Sequence, residues 1–195
     1  DKIKPSKVKE DFIENLIKLH SFKEKKFGFN FHTQIGGLAL SNDFNINWVD
    51  FFSNQKLIKI YELINKNDPM PSDINKQLEK VFKNLHNFIP KNPTPSLIHG
   101  DLWGGNILYK NNKTVGFIDP GSFYAHNEIE IAYLRFFEKK LFNDEFITKY
   151  SDRIKIENDY FNSEIIYHIY FSLMNILSWN RGYINHLKKL MSKIN

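Results

Sequence analysis

The sequence predicts a mainly α protein with a few short β-strands, and three observations carry that expectation. Apolar residues recur at helical spacing through most of the 195-residue chain. Short apolar runs, by contrast, gather around a single polar loop between His99 and Asn106. Two proline-bearing stretches, NDPMPSD at residues 67–73 and FIPKNPTPS at residues 88–96, punctuate the helical segments. With 42% hydrophobic residues and 18 Phe, the chain can bury a sizeable core.

Taken in order, residues 8–20 read as a helix, with Phe12, Leu16, Ile17 and Leu19 in approximate register and Pro5-Ser6 as its start signal. Residues 27–45 alternate aromatic and polar residues and break at Gly36-Gly37, which suits an extended loop or short hairpin. Residues 47–65 form a second helix with a stripe of Trp48, Phe51, Phe52, Leu57, Ile60, Tyr61 and Ile64. Ser72 or Asp73 is placed to cap a third helix over residues 74–86. The prolines at 90, 93 and 95 forbid regular structure before the polar loop. Beyond the loop, residues 127–140 read as a helix capped by Asn127, with Ile131, Leu134 and Phe137 facing inward. Helices over residues 144–150, 160–179 and 184–191 complete the chain, with no internal repeat and no second domain.

Composition excludes several classes. There are no cysteines, hence no disulfide and no thiolate metal site. No apolar run approaches the ~20 residues a membrane helix needs, and residues 1–10 lack the apolar core of a signal peptide. A cytoplasmic protein is expected. The net charge of +5 comes mostly from scattered Lys, so neither nucleic acid nor membrane is expected as a partner.

The chemistry concentrates in LIHGDLWGGNILY, residues 97–109, and the segment after it. Leu97 and Ile98 lead into the loop, which presents His99, Asp101 and Asn106; Ile107 to Tyr109 leads out. After a turn through Asn111 and Asn112, the run from Val115 to Ile118 delivers Asp119. A loop carboxylate can accept a proton from a substrate hydroxyl, which suits Asp101. An amide oxygen at Asn106 and a carboxylate at Asp119 suit Mg²⁺, with water and substrate phosphates completing its shell. The alternative readings are ordinary: Asp101 bonding backbone amides, Asn106 in a turn, Trp103 as packing. Gly100, Gly104 and Gly105 permit close backbone approach or positive φ.

The order His, Asp, Asn five residues on, then a strand-borne Asp resembles the catalytic and metal loops of kinases. HGDLWGGN at 99–106 with IDPGSFYAHNEIEIA at 118–132 is more specific, and resembles the fructosamine kinase (ketosamine-3-kinase) family within the aminoglycoside phosphotransferase-like branch of the protein-kinase-like fold. FGFNFHTQIGG at 27–37, NWVDFF at 47–52 and the late helix with Tyr167, Tyr170, Asn175 and Trp179 are similar to further segments of that family. Glu138-Lys139-Lys140 departs from it, standing where the family has Gly-Gly-Phe.

The resemblance implies ATP-dependent phosphorylation of a ketosamine, free or protein-bound, at the 3-hydroxyl. It implies Asp101 as base, Asn106 and Asp119 as Mg²⁺ ligands, and Trp103 against the sugar. His99, His126, Glu128 and Glu130 would be supporting residues, with Glu130 bracing the catalytic loop. Kinase chemistry also uses a small β-rich lobe with a Gly-rich loop and a strand-borne Lys, and nothing before Leu97 supplies them. The expectation is therefore the large lobe of the fold as one unit over residues 1–195, with the small lobe absent or supplied upstream, on the same or another chain. The catalytic loop would be residues 97–109 and the metal loop residues 115–128. Two alternatives stand beside it: a truncated, non-catalytic binding module, and a kinase for another small alcohol such as an aminoglycoside or choline.

Overall fold

The computed structural model describes residues 8–111 and 113–194; Pro5-Ser6 and Asn112 lie outside the described residues. Helices dominate, as expected, and the strands are short. In chain order the elements are α1 (Glu10–His20), β1 (Thr33–Ile35), β2 (Leu38–Leu40), α2 (Trp48–Phe52), α3 (Ile58–Asn67), α4 (Ser72–Lys83), β3 (Pro95–Ile98), β4 (Ile107–Lys110), β5 (Lys113–Phe117), β6 (Phe123–His126), α5 (Glu128–Glu138), α6 (Asp144–Ser151), α7 (Tyr160–Ser178) and α8 (Tyr183–Met191). These elements by themselves do not show that a further lobe is absent from the protein.

Among the described residues the strands form three antiparallel pairs: β1 with β2, β3 with β6, and β4 with β5. The β3–β6 pair sets Pro95 opposite His126 and Ile98 opposite Phe123, so the polar loop leaves one strand of a fixed ladder. β6 was not foreseen, and β3 begins inside the proline-rich stretch. Proline is tolerated at the first residue of a strand, where its missing N–H costs no ladder bond.

The helix expected at 47–65 runs from Trp48 to Asn67, but Ser53–Leu57 forms a π-helical turn between α2 and α3. Asn47 caps it, its side chain accepting from the amides of Val49 and Asp50. Trp48, Phe51 and Phe52 are all fully buried. Trp48 Nε1 donates to the Tyr167 hydroxyl at 3.0 Å, fastening α2 to α7. Three local expectations are corrected. Ser72 is the first residue of α4 behind Pro71, and no side chain caps that helix. The Asn127 side chain donates to the Tyr150 hydroxyl and so does not cap α5. Phe137 is 42% exposed, because it projects into a cleft and away from the core that takes Ile131 and Leu134.

Two apolar clusters hold the fold. The larger unites α2, α3, α4, α7 and α8 with β3 and β6; the smaller joins α1, α6 and the start of α7 with Leu102 and Ile107 of the polar loop. Arg135 is buried beside the smaller cluster, its Nε 2.5 Å from Glu164 and its Nη1 donating to the Phe142 carbonyl. The polar loop thus lies on a seam where α1, α5 and α7 converge, anchored from below by Leu102.

Candidate active site

The loop between β3 and β4 is fixed mainly through its main chain. Glu130, on the first turns of α5, is 2% exposed. Its Oε2 accepts the His99 amide at 2.9 Å and its Oε1 the Gly100 amide at 2.7 Å. His20 at the end of α1 faces Oε2 at 3.0 Å through Nε2, and its Nδ1 meets the Tyr150 hydroxyl at 2.6 Å. Burial alone would raise the Glu130 pKa, but the His20 hydrogen bond, the charges of His20 and His99 and the His99 amide outweigh it and hold the pKa below the usual value. A buried carboxylate satisfied on both oxygens is a rigid post, and here it carries two successive loop amides.

His99 works in the same direction. Its Nδ1 accepts the Asp101 amide at 3.3 Å, which leaves Nε2 as the donor to the Ile118 carbonyl at 2.9 Å. The Ile118 amide in turn donates to the Asn106 carbonyl at 3.0 Å. Both ends of the first loop therefore grip Ile118, the residue immediately before Asp119. Asp119 has φ of +53° and is exposed, a left-handed conformation that Asp tolerates better than most residues. Gly100 explains how close the two loops run. Its φ is +83°, and a Cβ there would lie 2.5 Å from the Gly121 carbonyl oxygen.

Asp101 is half-buried at the mouth of a cleft. Its Oδ1 accepts from the Tyr133 hydroxyl at 2.5 Å. Asn106 Nδ2 donates to the Asp101 main-chain oxygen at 2.8 Å and lies 3.4 Å from Oδ2. Burial pushes the Asp101 carboxyl above the ordinary range; Tyr133, His99 and Asn106 pull it back, and Glu130 adds a smaller upward push. Burial and the neighbouring Asp101 hold the Tyr133 phenol well above its usual pKa, so it stays a proton donor.

The cleft has a volume of about 520 Å³ and is lined by Asp101, Trp103, Tyr133, Phe137, Glu138, Asn175 and Trp179 with glycines 36, 104 and 105. Trp103 is 52% exposed. A Cβ at Gly105 would run into the Trp103 ring, so that glycine makes room for the indole over the loop.

His126 and Glu128 lie elsewhere, at the β6–α5 junction. His126 Nδ1 is 2.9 Å from the Tyr167 hydroxyl, and Glu128 Oε1 accepts the Glu157 amide at 2.6 Å. Burial, helped by Lys155 and Lys23, lowers the His126 pKa to about 3. Burial raises that of Glu128 to about 7, against the pull of the Glu157 amide. Their hydrogen bonds run to α7 and the segment before it.

Three residues near the loop escaped the sequence reading: Tyr133, His20 and Thr33. Tyr133 lies on the face of α5 three residues after Glu130, a spacing that could have suggested it. His20 and Thr33 carried no local signal, because they reach the site only through the fold. Thr33 Oγ1 donates to the Gly121 carbonyl at 3.3 Å and accepts from Asn42, whose Oδ1 accepts from the buried Lys56 at 2.6 Å. Lys56 occupies the π-helical turn, 4.1 Å from the centre of the Phe123 ring.

For a magnesium ion, the chemistry of the donor set fits. Asn106 commits its Nδ2 to Asp101, so its oxygen remains as an acceptor, and Asp119 is an exposed carboxylate one residue beyond the segment Asn106 holds. No cluster of three or more His, Cys, Asp or Glu that could hold a metal occurs among the described residues. Mg²⁺ bound with substrate phosphates needs only one or two carboxylates from protein.

Comparison with known proteins gives the chain its relatives. A family model described as fructosamine kinase matches residues 2–195. A "Probable ketoamine kinase" of Vibrio cholerae is 30% identical over 185 residues, covering 94% of this chain and 62% of the relative. A "Ketosamine-3-kinase" of Mus musculus is 31% identical over 135 residues, 66% of this chain and 41% of that protein. The crystal structure of a "putative fructosamine-3-kinase" from Thermobifida fusca shares the fold, with a TM-score of 0.85 at 22% identity over 98% of this chain and 66% of that one.

These matches correct the expectation that the small β-rich lobe is absent. Agreement along nearly the whole chain identifies the fold these residues share and supports no lobe lost from the protein. The chain spans 62% of the length of its Vibrio cholerae relative. By the match along residues 2–195, the chain belongs to the fructosamine kinase family.

Proposed function

We propose that this chain carries the catalytic loop (residues 97–109) and metal loop (residues 115–128) of a kinase that transfers phosphate from ATP to the 3-hydroxyl of a ketosamine, a fructosamine or ribulosamine. One observation carries the reading. Asp101 is held between the Tyr133 hydroxyl and the Asn106 amide, on a main chain pinned by Glu130, at the edge of an open cleft.

The roles follow from that placement. Asp101 accepts the proton of the attacking sugar hydroxyl, and the upward push of burial makes it a stronger base than a free carboxylate. Tyr133 and Asn106 orient the carboxylate, so little reorganisation is needed when the hydroxyl arrives. Trp103 offers a flat apolar wall to the sugar ring. Asn106 Oδ1 and the Asp119 carboxylate would hold a magnesium ion, which neutralises charge at the phosphates when bound. His99 and Glu130 keep the two loops in register; His126 and Glu128 stabilise the β6–α5 junction behind them. Dependence on ATP suits work in the cytoplasm.

The test is a panel of acceptors incubated with the intact protein, ATP and Mg²⁺. Phosphate should appear on the 3-hydroxyl of fructosamine or ribulosamine. Phosphate appearing only on aminoglycosides or choline would contradict the substrate assignment.

A further inference from the structure

Among the described residues, aromatic rings wall the cleft beside Asp101, and every ionisable side chain other than Tyr133 that lines it is a carboxylate. Trp103, Phe137 and Trp179 are 52%, 42% and 61% exposed, and all three border the same space. Asp101 and Glu138 supply the charge, and among the described residues no Lys or Arg lines the cleft. Lys139 and Lys140 follow Glu138 directly, are exposed and do not line the cleft. Glu138 is the last residue of α5, where a carboxylate adds to the negative end of the helix dipole.

The walls are held in place. A Cβ at Gly36, in the turn of the β1–β2 hairpin, would lie 2.7 Å from the Trp179 ring, so the hairpin tip rests against that indole. Tyr133 and Phe137 meet edge to face with ring centres 5.0 Å apart. The same Tyr133 donates to Asp101. Asn175, 8% exposed, commits its Nδ2 to the Phe171 carbonyl at 2.8 Å and keeps its side-chain oxygen as an acceptor on the cleft wall.

We infer that this cleft recognises the positive charge of its acceptor: the protonated secondary amine of the ketosamine sits among Trp179, Phe137 and Glu138 while the sugar lies on Trp103 before Asp101. Aromatic faces attract ammonium groups through the ring quadrupole, and the attraction grows where water is partly excluded. Two carboxylates and a helix C-terminus add a field of the same sign. An anionic group in the same place would be repelled by the carboxylates, and a neutral one would lose the attraction of charge to ring and carboxylate. Glu138 and Trp179 are then specificity residues: they choose which sugar derivative is held before the base, and take no proton themselves. The inference rests on reading the cleft as the acceptor site.

The experiment compares two matched ligands on the intact protein: an N-alkyl fructosamine with a protonated secondary amine, and its N-acetylated, neutral counterpart. Binding is followed by tryptophan fluorescence and phosphorylation by product analysis. The cationic ligand should bind about tenfold tighter. Glu138→Gln and Trp179→Leu should each shrink that ratio. Equal affinities in the parent protein, or a ratio unmoved by both substitutions, would overturn the inference even if both ligands are phosphorylated. Charge discrimination without phosphate transfer would leave it standing and remove the kinase reading. Failure to bind either ligand would remove both.

Discussion

At the scale of single residues, Asp101 is the base of the proposed reaction, and its environment makes its titration predictable. The carboxylate must be ionised to accept a proton, so activity falls as pH drops through its pKa. Burial has raised that pKa, and the Tyr133 hydrogen bond opposes the rise. Tyr133→Phe removes the opposing bond, so the acid limb of the kcat/KM profile should move to higher pH. A limb that stays in place or moves lower would show that Tyr133 does not bear on the base. His99, Asp101 and the distant Asp119 stood out as candidates in the sequence because each is a polar side chain stranded between apolar runs. Tyr133 and His20 were not. One reads as an aromatic on a helix face and the other as a helix-terminal histidine, and only tertiary packing brings them to Asp101 and Glu130.

At the scale of elements, two loops from different strand pairs share one short line of contact, and glycine makes it possible. Gly100→Ala meets both a left-handed φ, which costs about 1–2 kcal/mol, and the Gly121 carbonyl at 2.5 Å. Gly37, with φ of +81° and nothing within 4 Å of where a Cβ would stand, meets only the first. Urea denaturation should therefore find Gly100→Ala clearly more destabilising than Gly37→Ala; equal losses would mean the loops can part without cost. Helical periodicity located the helices, including the tryptophan-bearing one at 48–67. It missed the π-helical turn at Ser53–Leu57, because an extra residue in one turn shifts the apolar stripe too little to be seen. β6 went unread since Phe123-Tyr124-Ala125-His126 has no clean alternation: both Ala125 and His126 are buried.

At the scale of the whole molecule, the buried Lys56 links the π-helical turn and the hairpin, through Asn42 and Thr33, to Gly121, and it leaves a mark on stability. Burial, with Lys59 nearby, lowers its pKa to about 7. Between that value and the unfolded one near 10.5, the unfolded chain holds a proton that the folded chain has released. Stability from this group thus rises with pH across that window, and below it the cost of the buried charge is fully present, on the order of 4–5 kcal/mol. Lys56→Met should flatten the rise between pH 7 and 10.5 in chemical denaturation; an unchanged slope would mean that Lys56 stays charged when folded. The lysine was visible in the sequence, but its burial was not, since nothing local distinguishes it from Lys59. The central claim, that residues 97–128 assemble a phosphoryl-transfer site with Asp101 as base, has a direct test. Single-turnover phosphoryl transfer to a saturating ketosamine should fall about 10²–10⁴-fold in Asp101→Asn, with the circular dichroism spectrum and ligand affinity retained. Transfer at the parent rate in that variant would contradict the account.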